Sequence, residues 1–293
     1  MSSHRTMITG AWALQRQQYG EQPHWMITVL ACMLGQIGLP GGGFGLGYSA
    51  ENGIGNPVQY FKWPSLEQFK NPVSEFIPVA RISDMLLQPG KVFSYNGKEI
   101  KYPDIKLVYW AGGNPFHHQM NLKKLVRAFK QPDTIIVNEI WWNSLARHSD
   151  IILPATTSLE RNDISIKHWD QTISPMHKAI EPVGEAKSDY EIFSEISSKL
   201  NFKDKFTEGK DEDKWLRFIW EESKNKAKEE GFALPEFDKF WKNGFQEVLS
   251  PKKQNILLEE FRIDPENNPI STPSGKIEIF SETIDSFNYK DCP

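Results

Sequence analysis

Residues 107–120, LVYWAGGNPFHHQM, decide the fold class. Their apolar, β-branched and aromatic beginning is typical of a buried strand, and Gly-Gly-Asn-Pro then ends the strand where a helix can begin. A strand that ends in a glycine turn before a helix often holds a phosphate, because glycines let backbone N–H groups approach an anion closely. The segment therefore predicts a strand–loop–helix unit with a ligand-binding loop.

The sequence that follows repeats this alternation of strand and helix. Strands are predicted at IKLVYW (105–110), TIIVN (134–138) and DIILPA (150–155). Helices are predicted at MNLKKLVRAFK (120–130), WNSLARH (142–148) and SDYEIFSEISSKL (188–200). Strands separated by helices of this length indicate βαβ units. The predicted fold class is therefore α/β, with a parallel Rossmann-like sheet and flanking helices.

Composition and patterning divide the chain into three predicted zones. Residues 1–104 contain a helix, a glycine-rich loop and an irregular segment rich in Pro and Asn, with one or two short helices. Residues 105–200 form the Rossmann-like domain. Residues 201–293 form a peripheral helical segment, whose dense Lys, Glu and Asp indicate solvated helix surface. One late strand, KIEIF, is predicted at 276–280.

The apolar residues 25–39 predict a buried amphipathic helix in the first zone. The helix should end at Gly38 and Pro40, which are common stop signals, and Cys32 within it is expected to be a small buried residue. About 20 apolar residues are needed to cross a bilayer, and this stretch is shorter and interrupted by glycine. The sequence therefore predicts no membrane insertion.

Composition excludes several classes of protein. The 293 residues are 39% hydrophobic and 25% charged, which are the proportions of a soluble globular protein. A net charge of -4 gives no reason to expect nucleic acid or an anionic membrane as the main partner. Cys32 and Cys292 form no CxxC motif, so a zinc ribbon or an iron–sulfur cluster cannot be built from this chain alone.

The standard nucleotide and metal motifs are absent. GGGFGLG at 41–47 does not follow a predicted strand as G-x-G-x-x-G would, and it lacks the GK[ST] of a P-loop. His117 and His118 do not have the spacing of a zinc site and are interpreted as a capping or ligand pair. The ligand must therefore be identified from the loops after the strands.

Three loops are predicted to meet at the carboxyl edge of the sheet, where α/β folds bind ligands. They are residues 111–118, 138–142 and 154–163. Each polar residue in these loops, taken alone, can be explained by its role in a turn. Three clusters of polar residues at one edge favour a purine, ribose or diphosphate ligand. The polar candidates are Asn114, His118, Asn138, Glu139 and Arg161.

Four long blocks carry a family resemblance that covers almost the whole chain. They are ITGAWALQRQQYGEQPHWMITVLACMLGQIGLPGGGFG, YWAGGNPFHHQ, ARHSDIILPATTSLERND and TPSGKIEIFSE. In this order they resemble the molybdenum oxidoreductases of the dimethyl sulfoxide, trimethylamine N-oxide and biotin sulfoxide reductase family. The resemblance implies the central part of a larger multidomain molybdoenzyme that carries a bis(molybdopterin guanine dinucleotide) molybdenum cofactor.

The resemblance implies roles for residues that match the family's blocks. Asn114 and His118 match positions that contact a guanine dinucleotide, and Asn138 and Glu139 match positions that contact its ribose or base. Arg161 matches a cofactor-binding arginine, which suits bidentate recognition of a diphosphate. Asp189 in EAKSDYEIF matches a carboxylate that accepts the N1 and N2 hydrogens of guanine.

The segment WALQR matches the part nearest the reaction. Trp12 and Arg16 correspond to residues that line the molybdenum pocket, with Ala13 beside the cofactor. A spacing of four would put Trp12 and Arg16 on one face if the segment is helical. A guanidinium there would stabilise negative charge that develops on the oxide oxygen.

The resemblance also implies what this chain lacks. The family's molybdenum is bound by a serine that would precede the present start, so no residue here is assigned as a metal ligand. A C-terminal domain that would complete the second cofactor is expected beyond the present end. The expected function is reduction of trimethylamine N-oxide or a related S- or N-oxide, with a c-type cytochrome as an electron donor and a periplasmic location, cytoplasmic being the alternative. The competing hypothesis is a non-catalytic or decayed guanine-nucleotide-binding fragment.

Overall fold

The first unit of the fold is a small parallel βαβ arrangement. In the computed structural model, which describes residues 3–46, 61–167, 170, 172–248 and 255–290, strands β1 (Met7–Gly10) and β2 (Gly43–Leu46) pair in parallel. Helix α1 (Glu21–Met33) connects them, and a 3-10 helix, Trp12–Gln15, directly follows β1. Neither strand was predicted, because four residues are too few to show alternation and glycine weakens the strand signal. The rest of the glycine-rich loop, residues 47–60, lies outside the described residues.

Helix α1 begins and ends earlier than predicted. It ends at Met33 because Gly35, with φ 65°, adopts the left-handed conformation that closes a helix, and its N–H donates to the Cys32 carbonyl at 2.8 Å. Cys32 is only partly buried, although burial is enough to raise the pKa of its thiol. The predicted end at Gly38 and the predicted full burial of Cys32 were therefore wrong.

The segment before the main sheet contains a hairpin that the sequence analysis missed. Helix α2 (Ile82–Leu87) follows a 3-10 turn, as the prediction of short helices allows. Strands β3 (Val92–Tyr95) and β4 (Lys98–Lys101) then pair antiparallel around Asn96 and Gly97, which have φ of 47° and 71°. Asn-Gly is the strongest short-range hairpin signal because both residues tolerate positive φ.

The main sheet confirms the predicted fold class. Its elements are β5 (Leu107–Ala111), α3 (Pro115–His118), α4 (Leu122–Ala128), β6 (Thr134–Glu139) and β7 (Ile151–Pro154). The strands are parallel in the order β5-β6-β7, so all three carboxyl ends lie at one edge. The helix predicted at 142–148 is reduced to a 3-10 turn, Ala146–His148.

A core forms on one side of this sheet. Ile135 and Val137 of β6 are 1% and 0% exposed, and they pack with Leu125 and Ala128 of α4 and with Leu145. Full burial of such a side chain stabilises the fold by about 1.5–3 kcal/mol relative to exposure. The sheet is therefore held by side chains that its own strands and connections supply.

The chain continues through an antiparallel ladder and a set of helices. They are β8 (Asp163–Ser165), β9 (Thr172–Met176), α5 (Asp189–Lys199), α6 (Lys203–Thr207), α7 (Glu212–Glu229), α8 (Phe237–Asn243) and β10 (Gln246–Glu247). Strand β9 pairs antiparallel with both β8 and β10. Helix α5 starts where predicted, at a capping box formed by Ser188 and Glu191.

A second core crosses the predicted zone boundaries. Trp220 of α7 is fully buried and stacks on Phe240 of α8 with ring centroids 3.8 Å apart. The same cluster includes Phe61 and Trp63 from the first zone and Ile173 from β9. Helix α7 is thus more than solvated surface, because its apolar face closes this core. The division of the chain into three domains stays a prediction.

The last described part packs against the N-terminal unit. Helices α9 (Glu259–Ile263) and α10 (Glu282–Ser286) flank residues 276–280, where the strand prediction was wrong. KIEIF is irregular, and Ile279 and Phe280 are 69% and 65% exposed, so its alternation buries no face. The Trp25 indole N–H donates to the Glu278 carbonyl at 2.8 Å, which attaches this segment to α1. Among the described residues no helix has the length and apolar character to cross a bilayer.

Candidate functional site

The carboxyl edge of the main sheet is followed by two glycines, the first of which faces free space. Ala111 is in register with Asn138, so the loop that follows β5 starts beside the end of β6. Gly112 and Gly113 have φ of 79° and 78°, and a Cβ added to Gly112 would meet no atom within 4 Å. Glycine is required here by the positive φ, and the open space in front of the backbone can hold a ligand.

Asn114 is a buried side chain with one unused donor. Its Oδ1 accepts from the Phe116 N–H at 3.0 Å and caps α3, while Pro115 occupies the first helical position. Its Nδ2 is buried and has no hydrogen-bond partner among the described residues. Buried amides nearly always have a partner. This unpaired donor beside Gly112 and Gly113 therefore points to a ligand that accepts a hydrogen bond.

Asn138 lies between β5 and α5. Its Oδ1 accepts from the Tyr109 hydroxyl at 2.8 Å, and its Nδ2 donates to Asp189 Oδ1 at 2.7 Å. Asn138 is 4% exposed, whereas Asp189 is exposed at the start of α5. The structure thus brings two predicted site residues together, and the carboxylate is the member that faces outward.

Glu139 organises the turn after β6. Its Oε1 accepts from the N–H groups of Ile140 and Trp141 at 2.9 and 3.3 Å, and its Oε2 accepts from Asn143 Nδ2 at 2.6 Å. Both carboxylate oxygens are therefore used within the turn. Trp141 and Trp142 emerge from it with 69% and 65% exposure.

The loop after β7 is held by a glutamate that the sequence analysis missed. Glu160 is 5% exposed and accepts from the N–H and Oγ1 of Thr157 and from the N–H of Val183, at 2.7–2.8 Å. These hydrogen bonds, that from the Thr157 N–H first, lower the pKa of the carboxyl. The Thr-x-x-Glu spacing within TTSLE was the available signal.

Two contacts anchor the ends of the loop after β7: an ion pair of Arg161 at its end and a backbone bridge from Ala155 at its start. Arg161 forms an ion pair with Asp163 at the start of β8, and its side chain is about one-third exposed. A parallel bridge joins Ala155 to Lys187, with the Lys187 N–H donating to the Pro154 carbonyl at 3.1 Å. This bridge extends the edge of β7 toward Asp189.

The WALQR segment follows the carboxyl end of β1. Trp12 is 48% exposed, Ala13 is exposed, and its carbonyl accepts from the Arg16 N–H at 2.9 Å. The segment is a 3-10 helix that ends before Arg16, and with about 3.0 residues per turn, residues four apart point about 120° from each other. Trp12 and Arg16 therefore do not share a helix face as an α-helix would require.

A hydrogen bond joins the WALQR segment to the loop after β5. Arg16 Nη1 donates to the His118 carbonyl at 3.4 Å, which places the guanidinium beside the end of α3. The His118 imidazole is exposed. Within the described part of the chain, no three His, Cys, Asp or Glu side chains are grouped so that they could hold a metal ion.

The site residues fall into two sets that meet at this contact. Around the edge of the main sheet lie Asn114, His118, Asn138, Glu139, Arg161 and Asp189, and at the end of β1 lie Trp12, Ala13 and Arg16. Their contact with a cofactor stays a prediction. The sequence analysis missed Tyr109, Asn143 and Glu160, since their roles consist of contacts with other side chains or with the backbone.

Several known proteins that match this chain are described as reductases of S- or N-oxides. Biotin sulfoxide reductase from Cereibacter sphaeroides is 46% identical, over 98% of this chain and 39% of that protein. Trimethylamine-N-oxide reductase from Haemophilus influenzae is 46% identical, over 99% of this chain and 37% of that protein. Dimethyl sulfoxide/trimethylamine N-oxide reductase from Rhodobacter capsulatus is 44% identical over the same shares. The chain thus spans less than two-fifths of the length of these relatives.

Two further findings concern the fold and the family. Acetylene hydratase from Pelobacter acetylenicus is similar in structure at a TM-score of 0.43 and 18% identity, over 65% of this chain and 24% of that one. The family model described as molybdopterin oxidoreductase matches residues 1–199. By this match and by its relatives, the chain belongs to the molybdopterin oxidoreductase family.

Proposed function

We propose that this chain is the central, cofactor-binding part of a molybdenum-dependent reductase of S- and N-oxides. Its cofactor would be a bis(molybdopterin guanine dinucleotide) molybdenum. Relatives described as reductases of biotin sulfoxide, trimethylamine N-oxide and dimethyl sulfoxide align with nearly the whole chain and support this class of substrate. We rank trimethylamine N-oxide or a related oxide first and biotin sulfoxide close behind.

The unpaired donor of Asn114 is the observation that carries the proposal. A buried Nδ2 without a partner costs about 1–3 kcal/mol, and an accepting ligand group removes that cost. Open space lies in front of Gly112, where an added Cβ would meet no atom within 4 Å, and backbone N–H groups there can point at a phosphate. The residues present therefore fit a nucleotide-bearing cofactor.

The other edge residues would bind and orient the nucleotide arms. The Asp189 carboxylate would accept the N1 and N2 hydrogens of guanine, and Asn138 would hold that carboxylate in place. Arg161 would donate hydrogen bonds to the diphosphate while it stays ion-paired with Asp163. His118 would contribute its exposed ring, and Glu139 would act mainly through the turn that it holds.

Arg16 and Trp12 would form the side of the site nearest the substrate. When bound, the cofactor supplies the two-electron chemistry by which an oxide plus two protons gives the sulfide or amine and water. Arg16 would donate hydrogen bonds where negative charge develops on the oxide oxygen, and its contact with His118 holds it at the junction of the two sheets. The exposed indole of Trp12 and the small Ala13 would shape the pocket.

Electrons would come from a donor such as a c-type cytochrome, and the location would be periplasmic. The competing hypothesis, a fragment that binds a guanine nucleotide without redox chemistry, shares the edge residues but needs neither molybdenum nor Arg16.

The test is to produce the protein in cells that make the molybdenum cofactor and to measure bound molybdenum and acid-released guanine. We expect both in the complete reductase, in a ratio of two guanines per molybdenum, and no oxide turnover by the 293-residue chain alone. Guanine without molybdenum in the complete protein would favour the competing hypothesis. Robust oxide turnover by the 293-residue chain alone would contradict the proposal that this chain is only the cofactor-binding part of the reductase.

A matched pair of variants tests the Asn114 donor. Asn114 and Asn121 both cap short helices through Oδ1, and aspartate keeps that cap while removing the donor. Asn114→Asp should lose most of the bound cofactor, whereas Asn121→Asp should retain it. Equal cofactor content in the two variants would remove the main support for the proposal.

A further inference from the structure

The Tyr109 side chain connects the middle of β5 to the start of α5. Its ring packs on Phe193 with centroids 5.4 Å apart, and its hydroxyl reaches Asn138. Phe193 and Asp189 are four residues apart on α5, so they lie on the same face of that helix. Tyr109 therefore contacts α5 directly through Phe193 and indirectly, through Asn138, at Asp189.

The direction of each hydrogen bond in this chain is fixed by the carboxylate. An ionised Asp189 can only accept, so the Asn138 group that faces it must be the Nδ2 donor, at 2.7 Å. The Asn138 oxygen is then turned toward Tyr109, whose hydroxyl must donate to it at 2.8 Å. Reversal of the Asn138 amide would place its oxygen against the carboxylate, two acceptors together, so Asp189 selects the amide orientation and the Tyr109 hydroxyl holds the amide in it.

Asn138 is the most buried member of this chain of side chains. Asp189 is exposed, Asn138 is 4% exposed, and Tyr109 is half-buried. Burial raises the pKa of the Tyr109 hydroxyl, the Asn138 hydrogen bond lowers it, and the nearby Asp189 charge raises it, so the net shift is upward. The hydroxyl therefore stays protonated and able to donate near neutral pH.

We propose that Tyr109 is a positioning residue for base recognition: through Asn138 it holds the Asp189 carboxylate in the orientation that selects a base with adjacent N–H donors. This inference rests on the proposed function, in which Asp189 faces guanine. Guanine presents two adjacent donors, N1–H and the N2 amine, hypoxanthine presents only N1–H, and adenine presents an acceptor at N1. A carboxylate held in one orientation distinguishes the three bases better than one that rotates freely.

The test compares Tyr109→Phe with Tyr95→Phe. Tyr95 is also half-buried in a strand and also packs on another aromatic ring, with centroids 5.7 Å apart, but it lies in the β3–β4 hairpin away from the site. Both variants remove only a hydroxyl oxygen, so the fold should be retained. Binding of GDP, IDP and ADP to the complete protein, purified without cofactor, would be measured by calorimetry.

The expected result is a loss of selectivity specific to Tyr109. Wild type and Tyr95→Phe should bind GDP more tightly than IDP, and IDP more tightly than ADP. In Tyr109→Phe the affinity for GDP should fall by about 2- to 10-fold, the effect of one neutral hydrogen bond, while that for ADP stays nearly unchanged. An unchanged ratio of GDP to ADP affinity in Tyr109→Phe would overturn the inference.

A second measurement separates this inference from the proposed function. The side-chain amide signals of Asn138 in a ¹⁵N spectrum, assigned by their loss in Asn138→Asp, report its orientation without any nucleotide. Tyr109→Phe should shift or broaden them, and Tyr95→Phe should not. Absence of binding to all three nucleotides would count against the proposed cofactor site, whereas unchanged Asn138 signals in Tyr109→Phe would overturn the positioning role whether or not nucleotides bind.

Discussion

The two parallel units of this protein are built in different ways. In the main sheet, β6 is paired on both sides, and Ile135 and Val137 are almost completely buried within the unit's own core. In the N-terminal unit, β1 and β2 have four residues each and, in the part of the chain that the structure describes, pair only with each other. The main sheet is therefore stabilised mainly by neighbouring sequence, whereas the N-terminal unit depends more on contacts from elsewhere.

One tie lies within the N-terminal unit itself, and another comes from α9, near the end of the described residues. The buried Gln36 accepts from the Thr6 N–H at 2.7 Å and donates to the His4 carbonyl at 2.8 Å, which ties the turn after α1 to the start of β1. Arg262 of α9 donates to the carbonyls of Gly35 and Ile37 at 2.9 Å each. The same parallel topology is therefore supported by nearby sequence in the main sheet and partly by residues distant in sequence in the N-terminal unit.

The largest effect is expected where the two units meet. In the complete, cofactor-loaded protein, Arg16→Ala should lower the rate of oxide reduction by about 10²–10³, because one donor to developing charge is lost. Arg5→Ala, an exposed arginine before β1 instead of after it, is the control and should leave kinetics unchanged. Full cofactor content with unchanged kinetics in Arg16→Ala would mean that Arg16 is structural.

The second prediction compares core side chains of the two units. Ile135→Ala should lower the free energy of unfolding by about 2–5 kcal/mol, because Ile135 is 1% exposed and its truncation leaves a cavity in the core. Ile8→Ala in β1 should cost about 1–2 kcal/mol, since Ile8 is only partly buried. Urea denaturation measures both, and equal losses would contradict the difference in how the units are stabilised.

The third prediction compares two glycines with positive φ. A Cβ at Gly38 would lie 2.6 Å from the Leu258 carbonyl oxygen, so Gly38→Ala must displace α9 as well as strain the backbone. Gly112→Ala meets open space and pays only the backbone strain, about 1–2 kcal/mol. The melting temperature of Gly38→Ala should therefore be the lower of the two. The reverse order would show that α9 does not restrain this turn.

The smallest effect concerns pH and the loop after β7. The pKa of Glu160 is lowered from its ordinary value of 4.5 by hydrogen bonds from Thr157 and Val183. A lowered pKa stabilises the folded state above the ordinary value, and this contribution is lost as pH falls through the lowered pKa. The stability difference between wild type and Glu160→Gln should thus shrink between about pH 6 and pH 3. A constant difference would contradict the assignment.

The sequence by itself determined the main sheet and the position of its carboxyl edge, where the candidate site residues lie. Apolar strands predicted at 105–110, 134–138 and 150–155 and separated by helical segments favour a parallel sheet whose carboxyl ends lie at one edge, because parallel neighbours need crossover connections. The family blocks likewise identified the candidate residues at that edge. The strand–helix alternation and the family blocks both depend on the local order of residues. That order can be interpreted from the sequence alone, because interactions between residues close in the chain govern it.

Only the tertiary structure decided how these residues are used. The β1–β2 pairing joins residues about 36 positions apart, and the Tyr109–Asn138–Asp189 chain joins three separate elements. The tertiary structure also shows that both carboxylate oxygens of Glu139 accept hydrogen bonds within its own turn. Among the described residues, KIEIF pairs with no strand. Hydrogen-bond direction, unpaired donors and strand partners depend on atoms distant in sequence, and no local pattern specifies which of them will meet.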